Sequence, residues 1–428
     1  MTVIQTRTTV IYQLFPRNHT EQGTLSEVKK DLERIRSLGV DYIYLLPIHP
    51  VGEKNRKGDL GSPYAIQDYY AVNPELGTMQ DYIDLVEAIH AHGMRVMMDI
   101  VINHTAPDHG YVTSHPEFYY RKADGTMGNK VGDWTDIVDL DYQNRSLWDE
   151  MIQMLVYWAK LGVDGFRCDV ASFVPLAFWQ EAKKAVAEVN PDVIWLAESV
   201  HKEFLQYYRN EGYLAHSDSE LFQVFDICYD YDIHKEFEQV LEHKISLAQY
   251  AYMLNLQESI YPKDYCKLRF LENHDQPRIM ERLQSKNLAK HWIAFSYFEK
   301  GCAFLYAGQE EYAVHKPDLF TKDTIELPIL DEDEESFFKQ LSVIKKHPLV
   351  TAHTCYKVQA VSDAIMQVVY QTAEEVLTGY FLLQEGDARV ETTMPDGVYQ
   401  NELGKQKIEI INGQLILDKP VIFYRRCV

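Results

Sequence analysis

Eight short apolar runs, separated by stretches of helical period, constrain this chain more than any other feature of its sequence. The runs are Val10–Gln13, Tyr42–Pro47, Arg95–Val101, Gly165–Val170, Val193–Ala197, Leu221–Asp226, Lys267–Leu271 and Ala303–Tyr306. Between them lie amphipathic segments such as Thr24–Leu38, Met79–His92, Ser146–Lys160, Pro175–Val189 and Leu288–Phe298. Leu38-Gly39-Val40 and Leu161-Gly162-Val163 place glycine where a helix ends and a left-handed residue caps it. Strands alternating with helices imply a parallel sheet, and eight strands close a (β/α)₈ TIM barrel. A doubly wound open sheet meets the same periodicity and is the alternative.

Two stretches break the alternation. Thr105–Asp141, rich in Gly, Asp, His and aromatic residues, is too long for an ordinary connection and reads as a small inserted subdomain after strand three. Beyond residue 345 the pattern turns to short alternating strands, with an Asn412-Gly413 hairpin signal between two of them. The expected organisation is a barrel over 1–104 and 142–345, an insert over 105–141, and an antiparallel, sandwich-like β-domain over 346–428. The acidic run Asp331–Glu335 reads as a solvated helix start, where negative charge is favourable.

The chain has 428 residues, with 42 Lys and Arg against 64 Asp and Glu, a net charge of −22. Nucleic acid and anionic membranes require clustered positive charge, so neither is expected as a partner. No apolar run approaches the roughly 18 residues of a membrane span. The first residues, MTVIQTRTTVIYQLF, lack a basic segment followed by a long apolar core. The six cysteines are scattered without metal-like spacing, as in a reduced, cytoplasmic protein. No protein partner is inferred.

Functional side chains of such barrels sit at the C-terminal ends of the strands. The strands read RVMMDIVINH, GFRCDV, VIWLAES and LRFLENHD, apolar through the body and ionisable at the exit. Arg167 and Asp169 are two apart and share a face, while Cys168 points outward to the helices as a packing residue. Arg167 beside Asp169 alone fits a structural ion pair as well as a site. Asp99, Asp169, Glu198 and Asp275 arriving at one rim do not, because burying several like charges is costly unless they are used.

Asp99–His104 (DIVINH), Gly165–Asp169 (GFRCD), Ala197–Ser199 (AES) and Glu272–Asp275 (ENHD) resemble the four signature regions of the α-amylase family, glycoside hydrolase family 13, in order and on the expected strands. Gly61–Tyr70 and Leu305–Glu310 resemble its supporting motifs. The resemblance implies Asp169 as nucleophile, Glu198 as general acid/base and Asp275 as transition-state stabiliser. It implies Tyr64 as the platform under the reacting sugar, His104 and His274 as hydroxyl ligands, and Arg167 and Arg278 as further substrate-side groups. Asp99 is expected to organise Arg167 and the strand ends, with Asn103 in support. Retention requires one ionised carboxylate at the anomeric carbon and one protonated carboxyl at the leaving oxygen. Arg167 is expected to favour the charged form of Asp169, leaving the proton to Glu198.

Two departures from the family pattern shape the remaining expectations. Asp169–Pro175 reads DVASFVP, without the lysine–histidine pair that helps hold calcium in many relatives. Asn103 and Asp139 are candidate ligands for that oxygen-loving ion, but no cofactor is expected to be required. At Gly61, exo-acting α-glucosidases of the family commonly carry an aspartate, so glycine suggests an open cleft. The expected activity is retaining hydrolysis of mainly α-1,4 bonds in maltooligosaccharides or soluble starch. An α-1,6-acting glucosidase, or a glucanotransferase or phosphorylase using the same intermediate, is the alternative within the fold. Outside it stand a carbohydrate-binding barrel without activity and a metal-dependent hydrolase.

Overall fold

The computed structural model describes residues 6–325, 327, 331–351, 354–392 and 394–427. The reading of residues 1–5 as free of a leader therefore lies outside them. Eight parallel strands close into a barrel: β1 Val10–Leu14, β2 Tyr42–Leu45, β3 Arg95–Ile100, β4 Gly165–Cys168, β5 Ile194–Ala197, β6 Ile227–Tyr229, β7 Lys267–Arg269 and β8 Cys302–Tyr306. Each strand pairs with its neighbours in sequence and β8 returns to β1, which rules out the open sheet.

The alternation of side chains along each strand separates two cores. Inward residues such as Ile11, Tyr44, Met97, Leu196 and Phe304 fill the barrel. Outward ones, Cys168 among them, join the larger core beneath the helices. Gly165 sits in the inner layer, where a Cβ would stand 3.0 Å from Ile194 Cγ1 and 3.2 Å from Met97 Cε. The missing side chain there leaves room for its neighbours just below the strand exits.

Two expected elements differ. The sixth strand is Ile227–Tyr229, not Leu221–Asp226. Ser217 and Glu220 form a reciprocal capping box that starts the helix Asp218–Leu221, and Leu221, Val224 and Phe225 are buried at helical spacing. The segment Thr24–Leu38 is two helices, Leu25–Lys30 and Leu32–Ser37, meeting at Asp31, whose carboxylate takes Arg34 and His19. In the acidic run, Asp331 caps the helix Glu332–Lys345, but Glu334 is buried against Lys286, Lys290 and Tyr312 instead of solvated.

Between β3 and β4, His104–Thr105 pairs antiparallel with Val138–Asp139 and closes the inserted segment across the barrel mouth. The C-terminal part carries an antiparallel sheet in the order Cys355–Ala360, Ile365–Gln371, Glu375–Leu382, Val421–Arg426. Outside that sheet, between Lys407–Ile410 and Gln414–Ile416, Asn412 and Gly413 have φ of 53° and 70°, as a tight type I′ turn requires. The sheet is pinned to the barrel by Trp292 Nε1 donating to the Leu383 carbonyl at 2.9 Å.

Filling the inner layer at Gly165 should cost stability. Gly165→Val is expected to destabilise the fold by about 1–3 kcal/mol, read as a lower midpoint in chemical denaturation.

Candidate functional site

A cavity of about 380 Å³ opens at the C-terminal ends of the strands, walled in part by Tyr64, His104, Asp169, Glu198, His274 and Asp275. Six residues singled out in the sequence thus meet in one place. Beneath them lies the fully buried guanidinium of Arg167. Its Nη1 donates to Asp99 Oδ1 at 2.8 Å and Asp169 Oδ1 at 2.9 Å, and its Nη2 lies 2.7 Å from Glu198 Oε1.

Asp99 is fully buried and supports that cation from below. Its Oδ2 accepts the hydroxyls of Tyr44 at 2.7 Å and Tyr64 at 2.9 Å. Tyr64 stacks on His274, with ring centres 5.4 Å apart, and its oxygen lies 2.7 Å from His274 Nε2. On the far side, Gln13 Nε2 reaches His274 Nδ1 at 3.0 Å while Gln13 Oε1 accepts the His274 backbone N–H. A donor on Nδ1 leaves the ring proton on Nε2, facing Tyr64 and, at 3.1 Å, Asp275 Oδ2.

Charge at the site is uneven. Burial, then the charge of Glu198, push the Asp169 carboxyl well above its ordinary value against the pull of Arg167. Burial raises Glu198 as well; Arg167 opposes this and the negative Asp275 adds to it. Arg167 therefore serves both carboxylates and does not by itself assign the proton to Glu198. The titration of each therefore depends on the charge of the other. Burial also works against ionising Asp275, but His274, Arg167 and Lys316 outweigh it and bring that carboxyl down to about 2. Burial brings His104 down to about 4, so its ring is neutral near pH 7.

Val170, which follows Asp169, is left-handed, with φ 36° and ψ 46°. This conformation is costly for a β-branched residue. It is held by packing of Val170 with Phe173, Val200, Tyr208 and Ala215. The outcome is a backbone N–H that donates to Glu198 Oε2 at 2.8 Å. Neither the strain nor this donor has a signature in the residue type.

Residues 13–351 match the family model for the alpha amylase catalytic domain, and 357–423 that for the bacterial alpha amylase C-terminal domain. This chain belongs to the α-amylase family. The α-amylase of Lactobacillus plantarum is 42% identical, with a TM-score of 0.94 over 99% of this chain and 100% of that one. A noncanonic maltogenic α-amylase from Thermotoga neapolitana is 31% identical, with a TM-score of 0.85 over 99% of each chain. Among curated relatives, the α-1,4-glucan:maltose-1-phosphate maltosyltransferase of Myxococcus xanthus is 36% identical over 212 residues, 44% of this chain and 32% of that one. The match spans about a third of the length of such relatives. The chain is thus an enzyme of a family that acts on glycosidic bonds.

Two family-derived expectations meet the geometry differently. Arg278 is not on the cavity wall. It is fully buried and donates to Glu272 Oε1 at 2.7 Å, Ala307 O at 2.8 Å and His315 O at 3.0 Å, with its guanidinium over the Tyr306 ring. Every one of those directions points into protein, so it braces the loops after β7 and β8 and does not reach a sugar. In the strand pair of the insert Asp139 lies opposite His104, and the Asn103 carbonyl accepts the Leu140 backbone N–H, next to Asp139 in sequence. Asp139 has one buried oxygen without a partner, and burial raises its carboxyl to about 6. The Asn103 amide nitrogen is held by His104, so only its side-chain oxygen is offered to a cation. Calcium takes six to eight oxygens, and these two side chains do not make such a set.

Aromatic, aliphatic and charged residues that the sequence reading passed over also line the walls, among them Lys57, Trp134, Phe204, Leu319 and Phe320. The aromatic content of the insert pointed towards Trp134; the others come from loops whose approach is set only in three dimensions.

Arg278→Ala should leave Glu272 buried and unpaired, lowering stability by about 3–5 kcal/mol in a denaturation midpoint, whereas an effect confined to KM would mean that the arginine touches substrate. In a histidine NMR titration, His104 should stay neutral as the pH falls from 7 to 5.

Proposed function

We propose that the enzyme hydrolyses mainly α-1,4-glucosidic bonds of maltooligosaccharides or soluble starch, with retention, through a covalent glycosyl ester on Asp169. One observation carries the reading: Asp169, Glu198 and Asp275 face a single cavity, with Arg167 bridging the first two and His274 holding the third. In the first step Asp169 attacks the anomeric carbon. The bond to the leaving oxygen breaks, its electron pair stays on that oxygen, and Glu198 delivers the proton. In the second step water attacks the anomeric carbon, Glu198 takes the water's proton, and the bond from that carbon to the Asp169 oxygen breaks, releasing Asp169 as carboxylate. The ionised Asp275 offsets the positive charge that develops on the flattened ring. Tyr64, stacked on His274, offers its face to the sugar, and neutral His104 is placed for its hydroxyls. No step requires a metal, and activity is expected to survive a chelator; loss with EDTA and recovery with calcium would contradict this.

A second reading is favoured by the curated relatives, which are named as maltosyltransferases. The same Asp169 ester would pass its glycosyl group to a sugar or to phosphate instead of water. Incubation with maltotriose separates the two, since transfer yields longer chains. Adding phosphate, or offering maltose 1-phosphate with a glucan acceptor, tests the phosphate branch by phosphate uptake or release.

Glu198→Gln should lower kcat/KM by about 10²–10⁴-fold, and the first product of the wild type should be the α-anomer by NMR. Activity needs one proton on the Asp169–Glu198 pair, so the profile falls on both sides. Asp275→Asn removes a negative neighbour that raises Glu198. The alkaline limb of its residual activity should therefore move to lower pH.

A further inference from the structure

The order of strands defines the two ends of the cavity. Around the closed ring, β5 lies four places from β1, diametrically across the barrel. Glu198 leaves β5, and in the proposed chemistry its proton goes to the leaving group. Val200, His201 and Phe204, which follow it along the wall, therefore line the leaving-group side. The sugar that stays on the enzyme must extend the other way, towards β1.

On that side the cavity is lined by Lys57, Leu319 and Phe320. These belong to the loops after β2 and β8, the two strands that flank β1, and backbone bonds join the loops. Leu60 N–H donates to the Phe320 carbonyl at 2.9 Å. Arg17, 1% exposed, lies behind the seam: its Nη1 donates to the Leu319 carbonyl at 2.8 Å and the Gly61 carbonyl at 3.1 Å. Its Nε and Nη2 pair with Glu75, and Asn18 Nδ2 holds the Asp318 carbonyl at 2.7 Å. At the front, Lys57 is fastened to Asp136 of the insert at 2.9 Å.

Gly61 has a role in this seam that differs from an opening of the cleft. Its φ is +76°, and a Cβ would stand 2.7 Å from Val51 Cγ1 and 2.9 Å from Arg56 Cγ. A positive φ with neighbours this close favours glycine, so local geometry accounts for the missing aspartate without an open end.

We infer that Leu319 and Phe320, clamped through their backbones to the β2 loop by Leu60 and Arg17, form an end wall that stops the non-reducing end of the substrate. On this assignment, which rests on the direction of the chain given by Glu198 under the proposed function, the enzyme removes short units from chain ends. The volume of about 380 Å³ is near the lower limit of ligand cavities, roughly 300–1,000 Å³, and suits a short stretch of glucan.

The test compares maltoheptaoside with the same compound carrying a 4,6-O-ethylidene block on its non-reducing sugar. Short saccharides should be released from the free compound, and the blocked one should react at least about tenfold more slowly. Phe320→Ala should narrow that ratio and Phe320→Tyr should preserve it. Equal rates on both compounds in the wild type, with internal cuts, would overturn the wall. A binding measurement separates this from failure of the catalytic reading. In Glu198→Gln, calorimetry should show weaker binding of blocked than of free maltotetraose; equal affinities overturn the wall whatever the activity. No cleavage or transfer on free maltoheptaoside, with the affinity difference intact, overturns the catalytic reading alone.

Discussion

One buried guanidinium organises this enzyme. Arg167 stands inside the barrel, away from solvent, and is shared by Asp99, Asp169 and Glu198. In such a medium a cation without partners, or three carboxylates without a cation, would be prohibitively costly. Three acids on one base still leave an excess of negative charge, and with burial it pushes Asp169 and Glu198 above their ordinary values. The remaining contacts can be read as support for this arrangement. Asp99 is fixed by two tyrosine hydroxyls, one of which leans on His274, which is held in turn by Gln13 of β1. The hydrogen bonds thus run from β1 through the barrel mouth to β4, and they orient groups on opposite sides relative to one another.

Local strain is part of the same arrangement. Val170 adopts a backbone conformation it would not choose, and its N–H is thereby turned to Glu198. The apolar cluster around its side chain keeps it there. The site therefore depends on packing beyond the strands: the helices behind Val170 bear on how the acid is held.

Much of this was legible in the residues, for identifiable reasons. Strand parity put Arg167 and Asp169 on one face and Cys168 on the other, and the structure sorts them in that way. Motif order brought Tyr64, His104, Glu198, His274 and Asp275 to one rim. What was not legible depends on tertiary contact. Leu221–Asp226 is apolar enough for a strand, but Ser217 and Glu220 start a helix first, so the strand is delayed to Ile227. Arg278 lies beside a signature region, and adjacency in sequence does not say that its guanidinium turns inward to Glu272. Gly61 read as a missing side chain, although its positive φ and the close approach of Val51 and Arg56 already favour glycine there. Phe320 has no motif at all; its position depends on Leu60, far away in the chain.

The seam beside β1 has a consequence for how the molecule is made. Arg17 and Leu60 belong to the first two strand–loop units of the barrel, whereas Leu319 and Phe320 belong to the last, and are synthesised after them. The carboxylates at residues 169, 198 and 275 are all synthesised before that unit. The ring and the cavity are thus incomplete until β8 is available to pair with β7 on one side and β1 on the other.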